Sequence, residues 1–410
     1  MRPSTLLGVL FLRRDAILDA FHSRWSLPVG GLLVFSAALA RNYDGEDLLA
    51  EPWWLAGPFV ASLLTSFILW CLFIIWAKVP GPPLWRIYPR FLGIYWLTAP
   101  LAWLYAVPYE RFLSPVDAVR ANAYTLLVVS LWRVLIISRA LSVLFTVRFR
   151  ATLAFTLMFG SLVMLGATFF GPRPVLDVMG GLRLPPEDNY RASLTFATGF
   201  FSIIGLVVFG IAAAIYRPRN PAPTRPLVPA PEVSNRPRTA SLAVALLCVL
   251  AWIPALLIAQ PEQRRRHAAE RLFLTGDYPG MLGELSAHTA TDYPPAWRLP
   301  GSHLPAHSRL DLTKELLPHI DAHTATWVRD GYIEMARESI SNFRPFIATD
   351  DWITDVIEDA QRYPDQERTA ARRAVLNWLN QNDPSLTPAQ RNRVNSFLNT
   401  PPAEPPSSPP

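Results

Sequence analysis

Two arginines, Arg133 and Arg139, lie inside the apolar run YTLLVVSLWRVLIISRALSVLF, flanked by Ser130 and Ser138. An arginine carried to bilayer depth costs roughly 2.5 to 3.5 kcal/mol on insertion scales, so it faces a partner, a cavity or an interface. Guanidinium and hydroxyl donors suit an anion or a lipid headgroup, with Arg133 at the base of the site and Arg139 nearer an end where its stem can snorkel. At about 100° per residue the two arginines stand about 120° apart on a helix and share no narrow face. The plainer alternative is an internal strut, with Glu110 or Asp117 as the acidic partner.

Two further groups have the composition of weak metal sites. The loop ARNYDGEDLLAEPWW packs Asp44, Glu46, Asp47 and Glu51 into eight residues, and dense carboxylates can hold a divalent cation through oxygen. It lacks the full EF-hand spacing, and a solvated acidic loop needs no metal. His319 and His323 in PHIDAH are four apart, the spacing of a zinc pair on one helical face. No glutamate follows the first histidine, and His303 and His307 repeat the spacing only in a proline-broken loop. No Gly-rich phosphate loop, serine elbow or cysteine nucleophile setting is present, so neither a cofactor nor an enzymatic activity is expected. Ser36, Ser142 and Ser202 lie in apolar segments that contain no histidine to activate them.

The elements that carry these residues are read from the charge and hydropathy pattern. The chain has 410 residues and a net charge of +6. Basic residues outnumber acidic ones 22 to 12 over the first 260 positions, and the balance is 16 to 20 in the rest. The basic excess therefore sits beside apolar segments, as in loops facing anionic lipid, and a nucleic-acid partner is not expected. Two cysteines, Cys71 and Cys248, each inside an apolar run, exclude a disulfide framework.

A bilayer core of about 30 Å asks for roughly 20 apolar residues. Seven segments qualify: 26–41, 57–77, 91–107, 124–147, 151–170, 194–216 and 239–259. The first is short and contains Pro28, Gly30 and Gly31; Pro100 and Pro254 predict kinks in the third and last. Six spans remain an alternative. Residues 1–25 read as an amphipathic helix, over 4–24, at the membrane surface. Trp53, Trp54, Trp76, Trp85, Trp96 and Trp103 read as interfacial anchors. Gly160, Gly166, Gly199, Gly205 and Gly210 offer close helix approach. With the amino terminus cytoplasmic, 14 basic residues fall in the short inner loops. The positive-inside rule then puts the carboxy-terminal domain outside, against which stands the triplet Arg264 to Arg266.

The expected fold is all-α. A transmembrane bundle of about seven helices (26–216 and 239–259, joined by a Pro/Arg-rich linker at 217–238) precedes a small soluble helical domain at 260–399, and a disordered Pro-rich tail follows at 400–410. Within the domain, AERLFLTGDYPGMLGELS resembles one tetratricopeptide-like helical hairpin, without a second copy. Helices are expected at 309–321, 324–342, 350–361, 366–380 and 387–398. Their core comprises Trp327, Tyr332, Ile333, Phe343, Phe346, Trp352, Ile353, Val356, Val375 and Trp378. Thr387, Pro388 and Gln390 form a capping signature for the last helix. ARNYDGEDLL, WRVLIISRALSVLF and the GDY hairpin together resemble multi-pass membrane proteins of bacteria to which no activity is assigned, which implies an inner-membrane location. The function expected is a non-enzymatic envelope protein that anchors a helical interaction domain, with membrane lipids and a protein bound through 260–399 as partners. The alternative is a permease or lipid- and anion-handling transporter with Arg133 in its site.

Overall fold

The computed structural model describes residues 3–79, 84–170, 186–219, 239–295, 297–302, 304, 312–321, 323–341, 353, 357, 366–384 and 386–400. Most of the linker, the tail, His303, His307, Phe343, Phe346, Trp352, Val356 and the side chain of Trp85 lie outside them. All regular structure among the described residues is helical. The chain forms two compact units, the first running to Arg173 and from Tyr190 to Gln263, the second holding residues from Arg264 onward.

The first unit opens with α1 (Pro3–Leu10) and α2 (Arg14–His22). The single amphipathic helix expected over 4–24 is thus two, turned at Leu12, whose φ is +60°. Val9, Ile17, Ala20 and Phe21 bury the apolar side against the bundle. Then come α3 (Ser26–Asn42), α4 (Gly57–Ala77) and α5 (Leu84–Trp96), the last followed by a 3-10 segment at Ala99–Ala106. Long apolar helices α6 (Pro115–Phe145), α7 (Phe149–Phe170) and α8 (Pro186–Ile215) lead to α9 (Thr239–Leu250) and α10 (Ile253–Leu274). The breaks fall beside the prolines: the 3-10 segment has Pro100 in its first turn, and α9 stops just before the turn that places Pro254 at the start of α10, where a missing N–H costs least.

Among the described residues six helices are long and apolar enough to cross a membrane, which fits a multi-pass membrane protein. The α2–α3 pair passes the same test only as a unit bent by 106°, so a seventh crossing depends on α3. α3 runs alongside α5 and the 3-10 segment in matched register. Gly30 faces Trp96, Ser36 Oγ accepts from Trp103 Nε1 at 3.0 Å, and Tyr43 donates to the Ala106 carbonyl at 2.9 Å. The close approach depends on Gly30 and Gly93: a Cβ on Gly30 would lie 2.7 Å from Trp96 Cβ, and one on Gly93 would lie 2.9 Å from Ser26 Oγ. Of the glycines expected to do this, Gly205 does, against Ser161, whereas Gly160 and Gly166 have nothing near. Tryptophans divide likewise. Trp53 and Trp54 are exposed, but Trp76, Trp96 and Trp103 donate across the bundle to Ala213, Ser62 and Ser36. Trp76, Trp96 and Trp103 are struts, because an indole N–H buried between helices takes the acceptor that lipid cannot offer.

The second unit begins with the rest of α10, which runs unbroken through Pro261 and the Arg264–Arg266 triplet. A turn at Gly276, with φ of +76°, leads to α11 (Tyr278–Ser286), capped by Asp277. This is the helix–turn–helix read from AERLFLTGDYPGMLGELS. A short helical stretch at 312–316 and a 3-10 turn at Leu317–His319 precede α12 (Thr326–Ser341), α13 (Gln366–Asn382) and α14 (Pro388–Asn399). The capping box of Thr387 and Gln390 closes as read. Tyr332, Ile333, Ile353 and Val375 are buried with Met281, Leu285 and Val328, while Trp327 and Trp378 pack at the margin.

Candidate functional site

Arg133 stands on the long helix α6, started by Ser114 as cap and Pro115 in the first turn. Its guanidinium carbon lies 4.6 Å from the centre of the Tyr95 ring, a cation–π contact with α5. Arg133 Nε is buried and has no hydrogen-bond partner among the described residues. The acidic partners considered from sequence are engaged elsewhere: Glu110 accepts from Asn122 at 2.7 Å and Asp117 from Arg120 at 3.2 Å. The Tyr105 phenol lies within electrostatic reach of Arg133 and Arg41. Among the described residues neither Arg41 nor Arg133 takes part in an ion pair. Tyr95 was missed from sequence, because it reads as one aromatic among many.

Arg139 and Ser138 do not join them. Ser138 is buried and donates to the carbonyl of Val134 on its own helix at 2.7 Å, and Arg139 lies on another face of α6.

A second polar cluster closes the end of the bundle at the acidic loop. Gln260 of α10 donates from Nε2 to the carbonyls of Tyr43 and Glu46, each at 2.9 Å, and its Oε1 accepts from the Leu48 amide at 2.9 Å. Gln263 donates to the Asp44 carbonyl and is fully buried, with its Oε1 unpartnered among the described residues. Arg111 grips Glu262 through two bonds, the shorter 2.6 Å. One carboxamide therefore satisfies three loop backbone groups, which explains how an irregular turn is held in place. Burial is the main force raising the Asp44 carboxyl, with Glu110 adding and Arg111 opposing. Burial, with Asp44 beside it, also pushes the Tyr43 phenol up to about 12.

The loop carboxylates serve local structure. Asp47, 2% exposed, accepts the amides of Leu49 and Ala50 at 3.0 and 3.2 Å. Glu51 accepts from the Trp54 indole at 3.2 Å, and Glu46 also makes contacts of its own. Among the described residues no group of three or more His, Cys, Asp or Glu side chains is gathered for a metal ion. His319 ends a 3-10 turn with its ring tilted 43° to that of Tyr278, and His323 follows in a turn whose amides bond Asp321. With no helix beneath them, the spacing of four does not place the two histidines on one face.

The two polar features of the bundle are thus Arg133, held over the Tyr95 ring with its Nε unpartnered among the described residues, and a glutamine-clamped acidic loop. No known protein family, curated protein or solved structure matches this chain.

Proposed function

We propose that the chain is a membrane-anchored interaction scaffold: the first unit fixes it in the bilayer through seven crossings, and the helical second unit meets a protein partner. The observation that carries this reading is that the second unit owns a separate core around Met281, Leu285, Val328, Tyr332, Val375 and Val394, as a domain able to carry its own recognition surface does. The seventh crossing is α3, supported by its register beside α5 from Gly30 to Tyr43. An inner-membrane setting agrees with how charge divides between the bundle's ends. Lys78, Arg148, Arg150 and Arg217 stand at helix ends on one side, where Arg217 donates to the Trp76 carbonyl at 2.9 Å. Asp44, Glu46, Asp47, Glu110 and Glu262 gather on the other. The basic end is cytoplasmic in this reading, and the acidic loop and second unit lie outside.

The test replaces the chain in its host by one that stops at Gln263. A scaffold so truncated reproduces the defect of full deletion while its membrane part accumulates normally. Full activity of the truncated form would instead move the function into the bundle, as a permease built around Arg133 requires; the observation favouring that second reading is the buried Arg133 Nε, unpartnered among the described residues.

A further inference from the structure

The hairpin of α1 and α2 exposes two unlike sets of side chains. On α1, Leu7 and Phe11 stand four residues apart, 58% and 64% exposed, while Val9, Ile17, Ala20 and Phe21 pack into the bundle. Basic groups flank α2 at both ends. Arg13 and Arg14 at its start and Arg24 just past it are exposed. Arg90 of α5, also exposed, holds its guanidinium carbon 5.8 Å from the centre of the Phe21 ring. Asp15 is exposed beside them, whereas Asp19 is half-buried and accepts from Thr5 Oγ1 at 2.5 Å.

Contacts with the spans place this hairpin well inside the bundle's basic end. Gly30 of α3 faces Trp96, whose Nε1 donates to Ser62 Oγ of α4 at 2.9 Å, so Gly30 and Ser62 stand at one level. From there α3 reaches only to Ser26, where the chain bends by 106° into α2, while α4 continues to Ala77. At 1.5 Å per residue α4 therefore runs about 16 Å beyond the start of α3. A second route agrees: Trp132 of α6 donates to the Leu10 carbonyl at 2.9 Å and its ring lies 6.0 Å from that of Phe11. Beyond Trp132, α6 continues to Phe145, about 20 Å further, where Phe145 meets Phe73 of α4 at 5.1 Å. On the α4 side the apolar surface extends to Ile75, 69% exposed, before Arg217 reaches the Trp76 carbonyl. Hydrocarbon thus covers Ile75 at a level beyond that of the hairpin.

Exposed arginines at hydrocarbon depth are costly, whereas a bilayer thins locally at modest cost. We propose that the α1–α2 hairpin lies in the plane of the leaflet at the basic end and thins it. In this arrangement Leu7 and Phe11 rest on acyl chains, and Arg13, Arg14, Arg24 and Arg90 hold the phosphates of anionic phospholipids drawn down to them. Guanidinium groups suit that partner, because they bind phosphate through paired donors and stay charged. The inference rests on the bundle lying in a bilayer and is independent of what the second unit binds.

The experiment uses full-length protein with Cys71 and Cys248 replaced by serine, in nanodiscs of equimolar phosphatidylglycerol and phosphatidylcholine. Nitroxide labels at Arg14→Cys and, separately, Ile75→Cys are probed with oxygen, which favours hydrocarbon, and with a water-soluble nickel chelate. The chelate should reach the label at 14, and oxygen should dominate at 75, although 75 lies nearer the basic end of the bundle. Chelate access at both positions would mean a flat membrane that ends below the hairpin, and oxygen dominance at both would mean no thinning; either overturns the proposal. Native mass spectrometry of the same lipid mixture tests the partner. Wild type should retain phosphatidylglycerol over phosphatidylcholine, and Arg13→Gln with Arg14→Gln should cut that preference about tenfold. Equal retention of the two lipids by wild type, or an unchanged preference in the double variant, overturns the role of the arginines.

Discussion

Asp44 illustrates how single residues here answer to their surroundings rather than to their type. In the sequence it is one of four acids in a loop, which suggested oxygen ligands for a cation. In the fold its carbonyl is held by Gln263, and burial raises its carboxyl above the ordinary carboxylate range. A group whose folded pKa is raised binds its proton more tightly folded than unfolded. Its contribution is therefore fully present below the unfolded value near 4 and is lost as pH climbs through the folded one. Asp44→Asn should accordingly raise the melting temperature of the detergent-solubilised protein at neutral pH, with the gain shrinking toward about pH 4. A variant that melts lower than wild type at neutral pH would show that Arg111 outweighs burial. The four-residue histidine spacing failed as a site signal for a related reason: spacing means a shared face only on a helix, and Leu317–His319 is a 3-10 turn that ends there. Arg133 was legible because an arginine in an apolar run is conspicuous. Its ring partner Tyr95 comes from another helix, and only the folded contact joins them.

Helix identity was well coded, and helix limits less so. The long spans follow from apolar length, and the breaks near Pro100 and Pro254 follow from a missing N–H. By contrast, nothing in a charged stretch such as QPEQRRRHAAERLFL says that it continues the last apolar span, yet α10 passes straight through it. Arginine, glutamine and alanine are good helix formers, so the polarity change did not end the helix. Glycine was misjudged from composition: small residues matter where backbones meet, at Gly30 and Gly93, and not wherever they occur in a span. In the second unit, α12 and the end of α13 are joined by Arg337, whose guanidinium bonds the carboxylate of Asp383, a side chain only 1% exposed. Removing the cation takes a charge partner away from a buried carboxylate. Arg337→Met should destabilise this unit by about 3 to 5 kcal/mol, read as a lower denaturant midpoint for loss of its helical signal. An unchanged midpoint would mean that water reaches Asp383 and the pair is ornamental to stability.

For the whole molecule, the proposed topology has seven crossings that separate a basic cytoplasmic end from an acidic outer end, with the second unit outside. Length and composition establish the six long apolar helices. The seventh, α3, has 17 residues and spans about 25 Å at 1.5 Å per residue, short for a bilayer unless the membrane thins or the flanking hairpin of α1 and α2 shares its depth. The test is cysteine accessibility in intact cells. With Cys71 and Cys248 replaced by serine, single cysteines are placed at Glu51, Arg150 and Thr400 and treated with a membrane-impermeant maleimide. The proposed topology predicts labelling at 51 and 400 in intact cells, and at 150 only after lysis. Labelling at 150 with silence at 51 would invert the bundle, and labelling at 51 with silence at 400 would contradict a last crossing that carries the second unit outside.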